Sequence, residues 1–175
     1  DDRIEGDSGA NDLVGSEGDD LLDGRGGDDV LIGGAGEDSL IGGAGSNDVF
    51  QYNSLEDGTL VATNIPRGIV IGDTIGDFVS VVDRLVFDPS FDPFAIGAVV
   101  DGENFTTIAG LYDGTNATGS AAFARDEATF IFSTSDATLY FDDNGAAAGY
   151  SVVATFANNA TPTAADLVFA DVLFA

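Results

Sequence analysis

"GRGGDDVLIGGAGEDSLIGGAG", residues 24–45, holds little besides glycine, acid and a few aliphatics. Glycine loses more backbone freedom on ordering than any other residue. Its neighbours here are carboxylates, which repel one another. Alone, the stretch is expected to stay unfolded. A component outside the polypeptide must supply the missing free energy.

The stretch belongs to a nine-residue repeat: "GDSGANDLV" (6–14), "GSEGDDLLD" (15–23), "GRGGDDVLI" (24–32), "GGAGEDSLI" (33–41) and "GGAGSNDVF" (42–50). "DDRIE" (1–5) reads as the tail of an earlier unit, which implies a longer parent protein. The first column is Gly6, Gly15, Gly24, Gly33 and Gly42; the fourth is Gly9, Gly18, Gly27, Gly36 and Gly45. The sixth is Asp2, Asn11, Asp20, Asp29, Asp38 and Asn47; the eighth is Ile4, Leu13, Leu22, Leu31, Leu40 and Val49. Glycines permit a tight loop. The residues after it form a short strand with the eighth position pointing inward. One unit is then a loop plus a strand, half a turn of a coil, and alternate loops stack on the same side. Loop carbonyls and sixth-column carboxylates converge between stacked loops. Such an all-oxygen set suits Ca²⁺ and, in general, not Mg²⁺. Metal binding and folding become one equilibrium.

These columns closely resemble the calcium-binding nonapeptide repeat of the RTX family, G-G-x-G-x-D-x-U-x. The resemblance implies a parallel β-roll with several Ca²⁺ ions held between loops of alternate repeats. The candidate metal-binding residues are those of the first, fourth and sixth columns. Two sixth-column residues are asparagines, whose oxygen ligates without bringing charge. One side of the roll carries Asp2, Asp20 and Asp38, the other Asn11, Asp29 and Asn47, so weaker calcium sites are expected on the asparagine side. The last unit has two readings. With one extra residue in "GGAGSNDVFQY", Asp48 is the ligand and Phe50 and Tyr52 face inward. The same Asn-Asp pair at Asn11–Asp12 stays in step, which favours Asn47.

The whole chain has 31 acids against 5 bases, a net charge of −26. Such a surface repels nucleic acid and anionic membranes and attracts cations. No apolar run reaches membrane-spanning length, and "DDRIEGDSG" is not a signal peptide. Cysteine and histidine are absent, which removes disulfides, thiolate metal sites and the commonest general base. Lysine is absent too, leaving a serine nucleophile without a partner. The acids cluster in the loops, where metal binding accounts for them, so no enzyme is expected. An ice-binding face would need a flat threonine array, which the seventh and ninth columns lack.

After about residue 57 glycine thins out. Short, often alternating runs such as "DRLVFD", "ATFIFST", "ATLYFDDNG" and "YSVVATFA" read as strands whose aromatics form a core, while "AAFARDEA" suits a helical turn or two. The expected fold is all-β: a parallel β-roll over residues 1–57, then an antiparallel β-sandwich-like region over 58–175. Asn144-Gly145 reads as a hairpin turn, and the triplet Asn116-Ala117-Thr118 is taken as chance. "DTIGDFVSVVDRLVFD" resembles the segment after the last repeat in serralysin-type regions. "ATLYFDDNGAAAGYSVVATF" is similar to a hairpin near the end of many type I-secreted proteins, and "DVLFA" to their uncleaved export signal. These likenesses imply passage through the type I secretion machinery, folding outside the cell, and a secreted or cell-surface location. Two roles follow: a structural, surface or assembly unit, including a homo-oligomer or filament, or the secretion and folding module of a larger RTX enzyme or toxin.

Overall fold

The computed structural model describes residues 1–53, 57, 72–88, 105–110, 112, 129–142 and 151–169. Two stacks of strands rise from the repeats. The first comprises β1 (Arg3–Glu5), β3 (Leu21–Asp23) and β5 (Ser39–Ile41), continued by β7 (Asp73–Ile75). The second comprises β2 (Asp12–Glu17), β4 (Val30–Ala35), β6 (Val49–Tyr52), β8 (Arg84–Phe87) and β13 (Leu167–Phe169). Every pairing within each stack is parallel. Successive strands of the chain alternate between stacks, as a half-turn per repeat requires. The expected all-β class and parallel β-roll are therefore present.

The eighth-column residues from Ile4 to Leu40 become two interior files, with Phe50 standing where Val49 is expected. Ile4, Leu22, Leu40 and Ile75 pair in register on one sheet; Leu13, Leu31, Phe50, Leu85 and Leu167 do so on the other. All lie in or against one core cluster. At the amino-terminal end leucines fill the gap between the sheets. Toward the other end aromatics replace them: Phe78 meets Phe156 edge-on at 5.1 Å, and Phe87 lies 4.9 Å from Phe130. Each such buried side chain stabilises the fold by about 1.5–3 kcal/mol, independently of any ion.

The carboxy-terminal strands refine the expected sandwich-like region. β10 (Thr129–Ser133), β11 (Thr138–Asp142) and β12 (Ser151–Phe156) are antiparallel neighbours, as the alternating runs predict. They continue the first sheet of the roll. β12 joins β7 in parallel, and β10 joins β9 (Phe105–Ile108) in parallel. The result is one sheet of order β1-β3-β5-β7-β12-β11-β10-β9 facing β13-β8-β6-β4-β2. Phe130, Phe132, Leu139 and Phe141 face the core between the sheets. Ile131, Tyr140 and Val152 alternate with them and pack with Ile108 and Tyr112 in a second cluster. The Asn144-Gly145 turn, the Asn116 triplet, "AAFARDEA" and the terminal "DVLFA" lie outside the described residues.

The loop between β7 and β8 closes the Asn11-side stack of loops. In it Val81 has φ +73°, costly for a β-branched residue. Asp166, only 2% exposed, holds it: Val81 N donates at 2.8 Å and Ser80 Oγ at 2.6 Å. The same carboxylate accepts from Thr163 N at 2.8 Å and Thr163 Oγ1 at 3.0 Å. Asp166→Ala strands these donors and should cost about 2–4 kcal/mol. Denaturant unfolding in excess calcium would read this as a lower midpoint, and an unchanged midpoint would refute the clamp.

Candidate metal centre

Each turn of the roll brings a carboxylate of one loop under the backbone of the loop before it. On one side Asp2 N donates to Asp20 Oδ1 (2.5 Å), Asp20 N to Asp38 Oδ1 (2.8 Å) and Asp38 N to Asp73 Oδ1 (3.1 Å). On the other, Asn11 N donates to Asp29 Oδ1 (2.8 Å), Asp29 N to Asp48 Oδ1 (2.9 Å) and Asp48 N to Asp83 Oδ1 (3.1 Å). A second, outer ladder uses the preceding acids: Asp19 N donates to Asp1 Oδ1 at 3.1 Å and Glu37 N to Asp19 Oδ1 at 3.0 Å. The paired acids of the sequence thus divide into an outer carboxylate that caps backbone and an inner one buried between loops.

The inner carboxylates are incompletely satisfied. Asp20, Asp29 and Asp38 are at most 3% exposed, and the Oδ2 of each is buried with no hydrogen-bond donor. The first-column glycines leave space beside these oxygens. A Cβ added at Gly15 would collide with Asp20 Oδ2 and the carbonyl oxygen of Gly33; at Gly24 it would collide with Asp29 Oδ2 and the carbonyl oxygen of Gly42. At Gly33 and Gly42 it would strike the carboxylates of Asp38 and Asp48. Each gap is lined by a carboxylate oxygen, and two of them also by a glycine carbonyl from the next turn. Among the described residues no three acidic side chains converge on one point, so backbone carbonyls must complete any cation's shell. Oxygen-only donors of mixed charge are what Ca²⁺ accepts, and the residues fit it.

Close stacking of the loops also depends on glycine. Gly34 has φ +102°, and a Cβ there would collide with the carbonyl of Ser16 in the loop above. The fourth-column glycines Gly27, Gly36 and Gly45 press on Gly9, Gly18 and Gly27 in the same way.

The predicted sixth column is found with one correction. Val30 pairs with Val49 and Leu31 with Phe50, so the last loop is one residue longer than the others. Asp48, not Asn47, stands in the column. Asn47 is exposed, with its Nδ2 3.3 Å from Asp28 Oδ2. The extra residue turns Phe50 and Tyr52 into the core, where they are 0% and 1% exposed, and that burial outweighs the simple nine-residue count. The Asn11 side therefore carries a single neutral member. Asp73 and Asp83 extend the two columns and were missed because they lie outside the nonapeptides. Their signal was the triplet acid-x-apolar: Asp73-Thr74-Ile75 and Asp83-Arg84-Leu85 copy Asp38-Ser39-Leu40. Asp77, also missed, accepts from Gly42 N at 2.9 Å and Gly43 N at 2.6 Å.

Burial pushes the carboxyls of Asp38 and Asp48 up to about 6, against the backbone N–H groups of Asp20 and Asp29, which favour the ionised forms, and with the charges of Asp20 and Asp83 adding to the rise. Burial likewise raises Asp29 and Asp83, and it raises Asp73 together with the charge of Asp38. Raised folded values mean that the folded roll holds more protons than the unfolded chain between the ordinary 3.8 and about 6. Without a cation, stability is then greatest below that window and is lost as pH rises through it. In EGTA the roll should resist denaturant better at pH 4.5 than at pH 7. In millimolar calcium the order should reverse, because calcium needs the ionised form. Metal-free stability that rises toward pH 7 would contradict this.

Residues 1–31 and 23–50 match the family model of the RTX calcium-binding nonapeptide repeat (4 copies), a repeat that binds calcium. Among solved structures, the chain resembles the AlgE6R3 subunit of the Azotobacter vinelandii mannuronan C5-epimerase, with 26% identity and a TM-score of 0.53 over 99% of this chain and 82% of that one. The AlgE6R2 subunit of the same epimerase is also 26% identical, with a TM-score of 0.46 over 96% of this chain and 92% of that one. No curated protein matches the sequence. In its first fifty residues the chain thus carries the signature of RTX calcium-binding nonapeptide repeats, and its fold resembles that of the AlgE6R3 subunit.

Proposed function

We propose that this chain is a calcium-folded module of a secreted bacterial protein, with no catalysis of its own. The observation that carries this reading is the set of buried, donorless Oδ2 atoms of Asp20, Asp29 and Asp38. A carboxylate this buried must find a cation or a proton. At neutral pH and extracellular calcium levels the cation wins. In a calcium-poor cytoplasm the roll would stay open, a state suited to export in one step through type I machinery. Outside the cell, calcium would close it.

The module reading is favoured over a free-standing surface unit by the likeness to AlgE6R3, a subunit of a larger enzyme. By that analogy the chain would fold and stabilise the end of a longer extracellular protein whose chemistry lies elsewhere. The aromatic core between β7, β8 and β10–β12 would hold the carboxy-terminal part, and calcium would set the amino-terminal part onto it.

Far-ultraviolet circular dichroism with and without EGTA, paired with size measurement, tests this. Removing calcium should abolish much of the β signal, and restoring calcium, but not equimolar magnesium, should recover it. The calcium form should run as a monomer. An EGTA spectrum identical to the calcium spectrum would refute calcium-coupled folding, and large chelator-sensitive oligomers would return the assembly reading.

A further inference from the structure

The loop of residues 6–11, on the Asn11 side, is built unlike the loops that end in Asp20, Asp29 and Asp38. Asn11 holds the column position, but its Oδ1 accepts from Asp7 N of its own loop at 2.7 Å. Asp7 Oδ1 in turn accepts from Gly9 N at 2.7 Å. The loop satisfies itself, whereas the matching oxygens of Asp20, Asp29 and Asp38 are buried without donors.

A positive charge stands at the same level. Arg25 occupies the second position of its repeat with φ +68°, where Gly34 and Gly43 have φ +102° and +101°. Its guanidinium pairs with Glu5, which also accepts from Arg3 Nε at 2.7 Å. Two of the five bases of this chain thus meet beside loop 6–11. As exposed ion pairs they add little stability. As charges they lower the attraction of this level for a cation.

The loops also mesh differently here. Ala44 N donates across to Arg25 O at 2.8 Å, but Gly26 N turns back to Gly24 O of its own loop at 3.0 Å. An open furrow lined by Asp7, Ser8, Arg25, Gly26, Gly27 and Ala44 runs along this join.

We propose that the level between loops 6–11 and 24–29 is closed by the protein's own groups and takes no calcium. The Asn11 amide and the Arg25 guanidinium replace there what a cation supplies between the other loops. The roll thus has a metal-independent rung at this level, and the next level on the same side, at Asp29 and Asp48, is a calcium site. This inference rests on the calcium-binding reading of the remaining levels.

Counting bound ions by native mass spectrometry, with calorimetric titration of the full chain at pH 7, tests it. Asn11→Asp combined with Arg25→Gly restores the carboxylate and removes the guanidinium, leaving at position 25 the residue that Gly34 and Gly43 supply in the later repeats. That variant should bind one calcium more than the wild type, and an unchanged count would overturn the proposal. Asn11→Ala should leave the wild-type count unchanged, and loss of one ion would show that Asn11 ligates and overturn it equally. A wild type that binds no calcium at all would instead overturn the reading on which this inference stands.

Discussion

The controlling constraint is the burial of like charges in file. A parallel roll places equivalent residues of successive turns about 4.8 Å apart, so a column of aspartates stacks negative charge at strand spacing. The protein meets half of each carboxylate's demand itself, by donating a backbone N–H to Oδ1. The other oxygen of Asp20, Asp29 and Asp38 is left in a glycine-lined gap with no donor. Everything distinctive in the repeats follows. Glycine stands where a Cβ would fill the gap, aspartate stands where the gap needs charge, and the aliphatic two residues later anchors the strand.

Two sources of stability divide the molecule. At the amino-terminal end the sheets enclose a thin leucine file and contribute modestly. At the other end Phe50, Phe78, Phe87, Phe130 and Phe156 fill a wider gap, and Asp166 clamps the last loop with protein donors alone. Loops whose donors fit a cation are thus joined, through the continuous sheets, to a core that needs none. On the calcium-folded reading proposed above, calcium would extend a structure already anchored at one end rather than create one from nothing.

The repeat made the roll legible. Column periodicity located the strands, the inward aliphatics and the inner carboxylates Asp20, Asp29 and Asp38. It failed where the period broke. Asn47 fits the count and Asp48 fits the packing; only burial of Phe50 and Tyr52 decides between them, and a spacing rule carries no term for burial. Asp73 and Asp83 escaped because they reach the columns without flanking glycines. The parallel joins β7–β12 and β8–β13 were invisible for another reason. Alternating runs announce strands but not partners, and these pairings link residues some eighty positions apart.

The most direct test is an anomalous difference map from crystals grown in calcium. The account predicts peaks between stacked loops, within ligation distance (about 2.3–2.6 Å) of Asp20 Oδ2 and the Gly33 carbonyl, and of Asp29 Oδ2 and the Gly42 carbonyl. A well-ordered roll with no anomalous density at those gaps, its Oδ2 atoms still unpaired, would contradict it.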